Sequence, residues 1–407
     1  MRNFSKMIFT FVFLIAAAAA VPVVSEAAGT PSGLRQNDAN RTGVVVSWDA
    51  VPGANAYYVQ ISSDGLNWEA KADTTTPSKV ITGLSAGATY YVRVASYDNN
   101  GTEIITNDDI VSEYSAPIEV VTSPDAANIT GFNCTNVTKD SQTFAWNACP
   151  GATGYNIYDY SNEQFIATTS ETTYTRTGLM PGSKYGIKIM PIRTSAATGY
   201  TAHGNFYYMS NVKTAPVSPD AADFSVIAEN SSATSVSFIA RDSSGHADGY
   251  EVEAVKVKGK AGGKTLSALD ARQTNNMGIS RNVPYKYRVR YYVKVGTQNY
   301  YGEWSEYRYF LVHKASGRSG GGKIRMNWSK VDGATGYTVY ASTKQNGKYT
   351  KVKSLGKKSR SITITKIGKK KIKSNKVYFV RVVPKIKDGK KTITNDAQIT
   401  YKMNKSS

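Results

Sequence analysis

Trp48-Asp49-Ala50-Val51-Pro52-Gly53-Ala54-Asn55-Ala56-Tyr57 decides the reading of this chain, because it recurs. It returns as Trp146-Asn147-Ala148-Cys149-Pro150-Gly151-Ala152-Thr153-Gly154-Tyr155. It returns again as Trp328-Ser329-Lys330-Val331-Asp332-Gly333-Ala334-Thr335-Gly336-Tyr337. A longer, degenerate copy runs from Phe238 to Tyr250 and ends Ala247-Asp248-Gly249-Tyr250. Successive Trp or Phe positions lie 98, 92 and 90 residues apart, the period of a small domain rather than of a solenoid repeat.

The residues around each copy read as strands. Val44-Val45-Val46, Thr143-Phe144-Ala145, Val236-Ser237 and Ile324-Arg325-Met326 precede the aromatic residue. After each Tyr the apolar positions fall at every second residue, as in Tyr57, Val59, Ile61 and Tyr250, Val252, Ala254. A period of two means strands with one buried face. Pro52-Gly53, Pro150-Gly151 and Asp332-Gly333 supply the turns between them. Each unit is therefore strand, turn, strand, with a large aromatic side chain placed to enter a core between two sheets.

A second signature follows the first. Gly83-Leu84 leads to Tyr90-x-Val92-x-Val94, and Gly178-Leu179 to Tyr185-x-Ile187-x-Ile189. Gly278-Ile279 leads to Tyr285-x-Tyr287-x-Val289, and Ile367-Gly368, after a longer Lys-rich loop, to Tyr378-x-Val380-x-Val382. A Tyr entering a strand after such a turn predicts a tyrosine corner, its hydroxyl bonded back to nearby backbone. Ser112-Glu113-Tyr114-Ser115 and Gly302-Glu303-Trp304-Ser305 mark the ends of two units.

Together these marks resemble fibronectin type III domains. The resemblance covers nearly all of the chain after the first thirty residues and implies an all-β fold: four tandem immunoglobulin-like antiparallel β-sandwiches. The expected division is a signal peptide at 1–27 and domains at 28–123, 124–218 and 219–315. A Gly/Ser linker with a Lys-rich fourth domain occupies 316–407. The alternative reading of Ala315 to Gly322 is a degraded first strand of the fourth unit. A sandwich fold does not by itself give a function.

The first 27 residues have a charged start at Arg2 and Lys6, an apolar run from Met7 to Ala20, and Ser25-Glu26-Ala27 before the cut. That is the pattern of a secretory signal. After cleavage no segment of transmembrane length is read, so the expected location is secreted or extracellular and associated with the cell surface. Thr122-Ser123-Pro124-Asp125 and Val217-Ser218-Pro219-Asp220 are near-copies, short and stiffened by proline, and predict semi-rigid joints.

Motifs for chemistry are sparse. His203, His246 and His313 share no spacing and read as surface or loop residues. No nucleophile or zinc motif is present. Gly259 to Thr265 lacks the first glycine of a phosphate loop, which Lys258 replaces, and reads as a hairpin loop. The expectation is a non-enzyme with no catalytic residues, no cofactor and no metal. Export permits a disulfide between the two cysteines, Cys134 and Cys149. A hairpin turn near Lys139-Asp140, however, would set Cys134 opposite residue 145 or 146, so the pairing stays open.

Two features point to partners. The 28 tyrosines exceed what the core signatures use. Tyr200, Phe206, Tyr207 and Tyr208 are expected between the last two strands of the second unit, and Tyr300 and Tyr301 at the same place in the third. These are the candidate contacts for a protein or glycan ligand, or alternatively caps of the sandwich edge. No Arg-Gly-Asp tripeptide occurs.

The charge is also partitioned. Residues 323–407 hold 20 Lys, 3 Arg and 3 Asp, so the whole surplus of +20 lies there and the remainder is neutral. Lys369, Lys370, Lys371, Lys373, Lys385, Lys387, Lys390 and Lys391 are the candidate contacts for a polyanion. The expected partner is an anionic cell-wall polymer or membrane surface, with nucleic acid not expected for an exported chain. Lys-rich sandwich repeats of this kind resemble those of surface proteins of Gram-positive gut bacteria. The alternative is an accessory carbohydrate-binding protein of a polysaccharide-degrading system.

Overall fold

Period-two sequence becomes strands throughout the computed structural model, which describes residues 29–407 apart from 72, 99–109, 221–222, 230–232, 241, 243–244, 259–263, 271–273, 375, 394, 396–399 and 404–407. The signal peptide and most of the Gly259–Thr265 loop lie outside the described residues.

The chain forms four antiparallel sandwiches. In the first, Arg35–Asn40, Gly43–Ser47 and Ser78–Thr82 make one sheet. Glu69–Ala70, Ala56–Ser62, Thr89–Asp98 and Ile110–Val111 make the other, with Ile118–Val121 also paired to Thr89–Asp98. The second sandwich repeats the order with Asn133–Val137, Gln142–Ala145 and Thr173–Arg176 against Phe165–Thr169, Gly154–Asp159, Lys184–Thr194 and two short partners of that last strand, Thr201–His203 and Tyr207–Lys213. In the third, Phe224–Ile227, Ser235–Ala240 and Thr274–Gly278 face a sheet centred on Gly249–Lys256 and Tyr285–Val295. In the fourth, Ala315–Gly320, Lys323–Trp328 and Ser361–Ile364 face Thr350–Gly356, Gly336–Ser342, Tyr378–Lys385 and Tyr401–Met403.

Both sequence signatures have a structural cause. Trp48, Trp146 and Trp328 are 2%, 4% and 5% exposed, so each indole sits in its core. Each packs on the Tyr nine positions later, with ring centroids 5.2, 5.2 and 5.5 Å apart. That Tyr hydroxyl accepts from the turn it encloses: Val51 N–H at 2.9 Å, Cys149 N–H at 2.7 Å and Val331 N–H at 3.1 Å. The third sandwich reverses the device, with Tyr250 donating to the Phe238 carbonyl at 3.2 Å. The spacing is fixed because the turn must bring its own N–H onto a ring already buried beside the Trp.

The tyrosine corner is present in all four. Tyr90, Tyr185, Tyr285 and Tyr378 accept from the backbone N–H five residues earlier, at Ser85, Met180, Ser280 and Lys373, over 2.9–3.0 Å. The fourth sandwich keeps this bond despite its longer loop, which closes on itself as a small hairpin of Lys366–Ile367 with Lys370–Lys371.

Four expectations need correction. Ala315–Gly320 is a strand, paired along its length with Lys323–Trp328, and not a linker. Ala315 and Ser319 turn inward, and a Cβ on Gly317 would stand 2.1 Å from the Met326 sulfur. Glycine here answers to packing, not to flexibility. His313 is 3% exposed, held at the junction of the third and fourth sandwiches, where its carbonyl accepts from Tyr401 at 3.1 Å. His203 and His246 are exposed.

Cys134 pairs opposite Phe144, one position off the expected register, because a bulge falls between Thr143 and Phe144. Neither Cys134 nor Cys149 is disulfide-bonded, and both are buried. Finally, Tyr207–Lys213 and Gln298–Tyr301 are strands, so Tyr207, Tyr208, Tyr300 and Tyr301 stand in sheets and not in loops.

The chain divides into two compact units. The first runs to Asp125 and includes Pro150–Thr153 and Ile192–Gly204; the second comprises the rest. Within the first unit Arg193 donates to the Thr89 hydroxyl at 2.6 Å and to the Gly151 carbonyl at 2.7 Å. Within the second, Lys213 pairs with Asp248 at 2.7 Å, joining the second and third sandwiches.

Candidate functional site

A cation occupies the same place in every sandwich, on the outer face of the sheet that carries the tyrosine corner. It is the third residue after the corner Tyr: Arg93, Lys188, Arg288 and Arg381. Strand alternation puts it outward, since the residues on either side of it point into the core. Sequence reading passed over it because the apolar positions alone defined the motif. The signal was nevertheless there, as the basic residue inside Tyr-x-Val-x-Val.

In three sandwiches this guanidinium lies on aromatic rings. Arg93 stands 4.2 Å from the centroids of both Trp68 and Tyr114, and donates to Gln60 at 2.8 Å. Arg381 lies 3.8 Å from the Tyr349 ring and donates to the Thr400 hydroxyl at 2.9 Å. The third sandwich extends the motif into a ladder. Arg288 stacks on Trp304 at 4.6 Å and Tyr307 at 5.2 Å; Arg290 stacks on Tyr301 at 3.9 Å and Trp304 at 4.4 Å. Across the strands Glu253 and Glu251 pair with these two arginines. The terminal Ser-x-Trp/Tyr-Ser marks serve this arrangement: Ser115 and Ser305 hydroxyls accept from Val94 and Val289 N–H at 3.1 and 3.0 Å, turning the aromatic residue onto the arginine. Planar guanidinium on a ring face gains both cation–π attraction and stacking.

The second sandwich differs. Lys188 replaces arginine and is tied to Glu163. Its ammonium is 5.4 Å from the Phe206 centroid and 5.9 Å from that of Tyr160. Around it runs a cluster of rings: Tyr158 meets Phe165 at 5.6 Å and Phe206 at 5.1 Å, and Tyr160 meets Tyr208 at 5.3 Å. Beneath them Asp159 binds Arg176. Burial alone would raise the Asp159 carboxyl, but bonds from Ser161 and the Arg176 guanidinium outweigh it and hold it at about 2.

The six aromatic candidates from the sequence therefore separate. Phe206 and Tyr208 join the exposed cluster. Tyr207, on the other side of its strand, packs on Phe132 at 5.8 Å. Tyr200 belongs to the first unit, where burial, reinforced by the charge of Asp38, raises its phenol. Tyr300 donates to the Thr135 carbonyl at 2.7 Å, and Tyr301 lies under Arg290.

The eight lysine candidates separate as well. Ser342 pairs with Phe379 and Gly336 with Lys385, so the two Lys runs lie at opposite ends of the fourth sandwich. At one end Lys369, Lys370, Lys371 and Lys373 are exposed beside Lys366, Lys376 and the Lys344–Lys348 loop. Neither described carboxylate of that sandwich, Asp332 or Asp388, is at this end.

At the other end Lys385, Lys387, Lys390 and Lys391 border a small hairpin, Lys387–Asp388 with Lys391–Thr392. That hairpin packs on the third sandwich. Asp388 takes Lys286 at 3.4 Å and the Tyr309 hydroxyl at 3.2 Å, and Lys391 lies 5.7 Å from the Tyr309 ring.

Cys134 carries no reactive thiolate, since burial pushes it up to about 11. Among the described residues no group of three or more His, Cys, Asp or Glu is placed to hold a metal. No helix among them is long and apolar enough to cross a membrane.

A family model for the fibronectin type III domain matches residues 29–111. The first sandwich is a fibronectin type III domain. The three that follow repeat its strand order and its tyrosine corner, so they share its sandwich fold. Among solved structures it is similar to the FN1–FN3 domains of chicken CNTN1, at 16% identity and a TM-score of 0.29, over 71% of this chain and 100% of that one. It is also similar to a two-domain fibronectin type III segment of chicken tenascin, at 17% identity and a TM-score of 0.25, over 45% of this chain and 99% of that one. No curated protein matches. Fibronectin type III domains commonly mediate adhesion or binding in extracellular proteins, and in tandem they are typically structural or binding modules.

Proposed function

We propose that this is a secreted, non-catalytic cell-surface binding protein, held to anionic envelope polymers by the end of its fourth sandwich remote from the third. The observation that carries the reading is the segregation of charge within that sandwich. At the end remote from the third sandwich Lys369, Lys370, Lys371 and Lys373 stand with no described carboxylate, while Asp332 and Asp388 sit with Lys385, Lys387, Lys390 and Lys391 at the end that packs on it. A surface of like charge with no local counter-charge repels itself and attracts a polyanion.

The ligand is a loose one. Of the 23 basic residues in 323–407, 20 are Lys, which are hydrated point charges without the planar fork of arginine. Such a surface suits a flexible polymer of phosphates better than a defined sequence or a single bound ion. The guanidinium–aromatic stacks of the first, third and fourth sandwiches are internally satisfied and serve to stiffen their sheets.

Binding of the mature protein to purified teichoic acid, measured across salt, tests this. The expected result is tight association at about 0.1 M salt and loss at about 1 M, where the Debye length falls from roughly 10 Å to 3 Å. Binding that ignores salt would contradict the reading.

A further inference from the structure

We propose that the ring cluster on the outer sheet of the second sandwich binds the chain of an uncharged polysaccharide. The four repeats differ on this face. In the first, third and fourth, the rings on this face are half-buried, because the arginine three residues after the corner Tyr lies across them. In the second, Phe165, Phe206 and Tyr208 are 57%, 45% and 59% exposed. The covering group is missing because Lys188 is drawn to Glu163 and ends in a compact ammonium that cannot blanket a ring. One fold thus solves the same face two ways, self-covered three times and open once.

The chemistry of the open face selects the ligand. Phe165 and Tyr158, on paired strands, and Phe206, just before Tyr207–Lys213, form a continuous run of rings, and Tyr160 and Tyr208 extend it. Rings exposed in this way offer apolar faces, with a phenol hydroxyl at the edge of each Tyr. Beside them stand polar groups that donate and accept: the Lys188–Glu163 pair and, two residues back along the strand on the same face, Asn156 bonded to the Thr168 hydroxyl at 2.7 Å. The charged pair neutralises itself, so the patch favours a ligand without net charge. Pyranose rings match this surface, with C–H faces for the aromatic rings and hydroxyls for the flanking amide and ion pair. The face is an open sheet and not a cleft. It could cover only a small part of a free sugar, whereas a long chain can lie along it.

The cluster lies within the second sandwich and is separate from the lysines of the fourth, so this inference stands apart from the anchoring role. Affinity electrophoresis of the full mature protein through gels containing hydroxyethylcellulose, xylan or mannan tests it. At about 0.5 M salt the electrostatic pull of the last sandwich is screened. Wild type should be retarded by at least one of the three polymers. Phe165→Ala, Phe206→Ala and Tyr208→Ala should each weaken that retardation, and the three together abolish it, roughly tenfold or more in apparent affinity, with circular dichroism unchanged. Lys188→Arg should weaken it also, because a guanidinium would fold over the rings as in the other sandwiches. Replacing Lys369, Lys370 and Lys371 by Gln should leave it unchanged.

Absence of retardation by all three polymers would overturn the proposal, as would retardation that survives the triple variant. A shift of wild type from dimer to monomer on ring removal, seen by sedimentation, would instead make the face a contact between copies and would overturn it equally.

Discussion

Lowering the pH should loosen the junction of the third and fourth sandwiches through a single residue, His313. Its ring is enclosed near Tyr401, at 6.4 Å between centroids, and neither ring nitrogen has a hydrogen-bond partner among the described residues. Burial disfavours the imidazolium and lowers the pKa from 6.5 to about 4. The folded chain therefore keeps His313 neutral, while the unfolded chain takes up a proton once the pH drops below 6.5. Stability is full above pH 6.5 and is lost as the pH falls from there toward 4, below which both states are protonated and the loss stops growing. The difference of about 2.5 pH units corresponds to roughly 3 kcal/mol at most, and to roughly 2 kcal/mol at pH 5.

Hydrogen exchange read by mass spectrometry resolves this locally in a chain with several domains. After correction for the intrinsic pH dependence of exchange, the opening of Ala315–Gly320 and Tyr401–Met403 should become about twentyfold more frequent at pH 5 than at pH 7. Strands of the first sandwich should not follow. His313→Leu should remove the dependence. Equal protection at both pH values in wild type, or an unchanged dependence in His313→Leu, would refute the reasoning.

Other outcomes follow from the cores. Trp48→Ala should destabilise the first sandwich by about 3–5 kcal/mol in urea unfolding, because it empties a site that is 2% exposed; a loss below about 1 kcal/mol would place the indole outside the core. Gly317→Val should cost about 1–3 kcal/mol in the unfolding of the fourth sandwich, since the new side chain meets Met326 and Met403. No cost would restore the linker reading. The thiols of Cys134 and Cys149 should stay inert to a thiol reagent in the native protein and react after unfolding, with no mass change on reduction; rapid native reaction would contradict their burial.

What could be read from the chain followed the range of the interaction. Tyr57 and Tyr90 announced themselves because each hydroxyl takes a backbone N–H only a few residues away, and Trp48 because it packs on the Tyr57 ring, so spacing is enforced locally. Ala315–Gly320 did not, because its reason to be a strand lies in Met326 and Met403, which a composition of Gly, Ser and Arg conceals. His313 was misplaced on the surface for a similar cause. The elements that bury it, Tyr401 among them, are distant in sequence.

The lysine runs were visible, but not their separation, which depends on the register of Gly336–Ser342 with Tyr378–Lys385. The aromatic candidates were half legible. Phe206 and Tyr208 were found by their abundance of rings, while Tyr158, Tyr160 and Phe165 join them only once three strands are side by side.

The central claim, that the end of the fourth sandwich remote from the third is the anchor, is tested most directly by retention of three proteins on isolated Gram-positive cell walls. They are the mature chain, a variant with Lys369, Lys370, Lys371 and Lys373 replaced by Gln, and a variant with Lys387, Lys390 and Lys391 so replaced. At about 0.1 M salt the first variant should be largely released, the second retained much as wild type, and all three released at about 1 M. Equal retention of the first variant and wild type, or greater release of the second, would contradict the account.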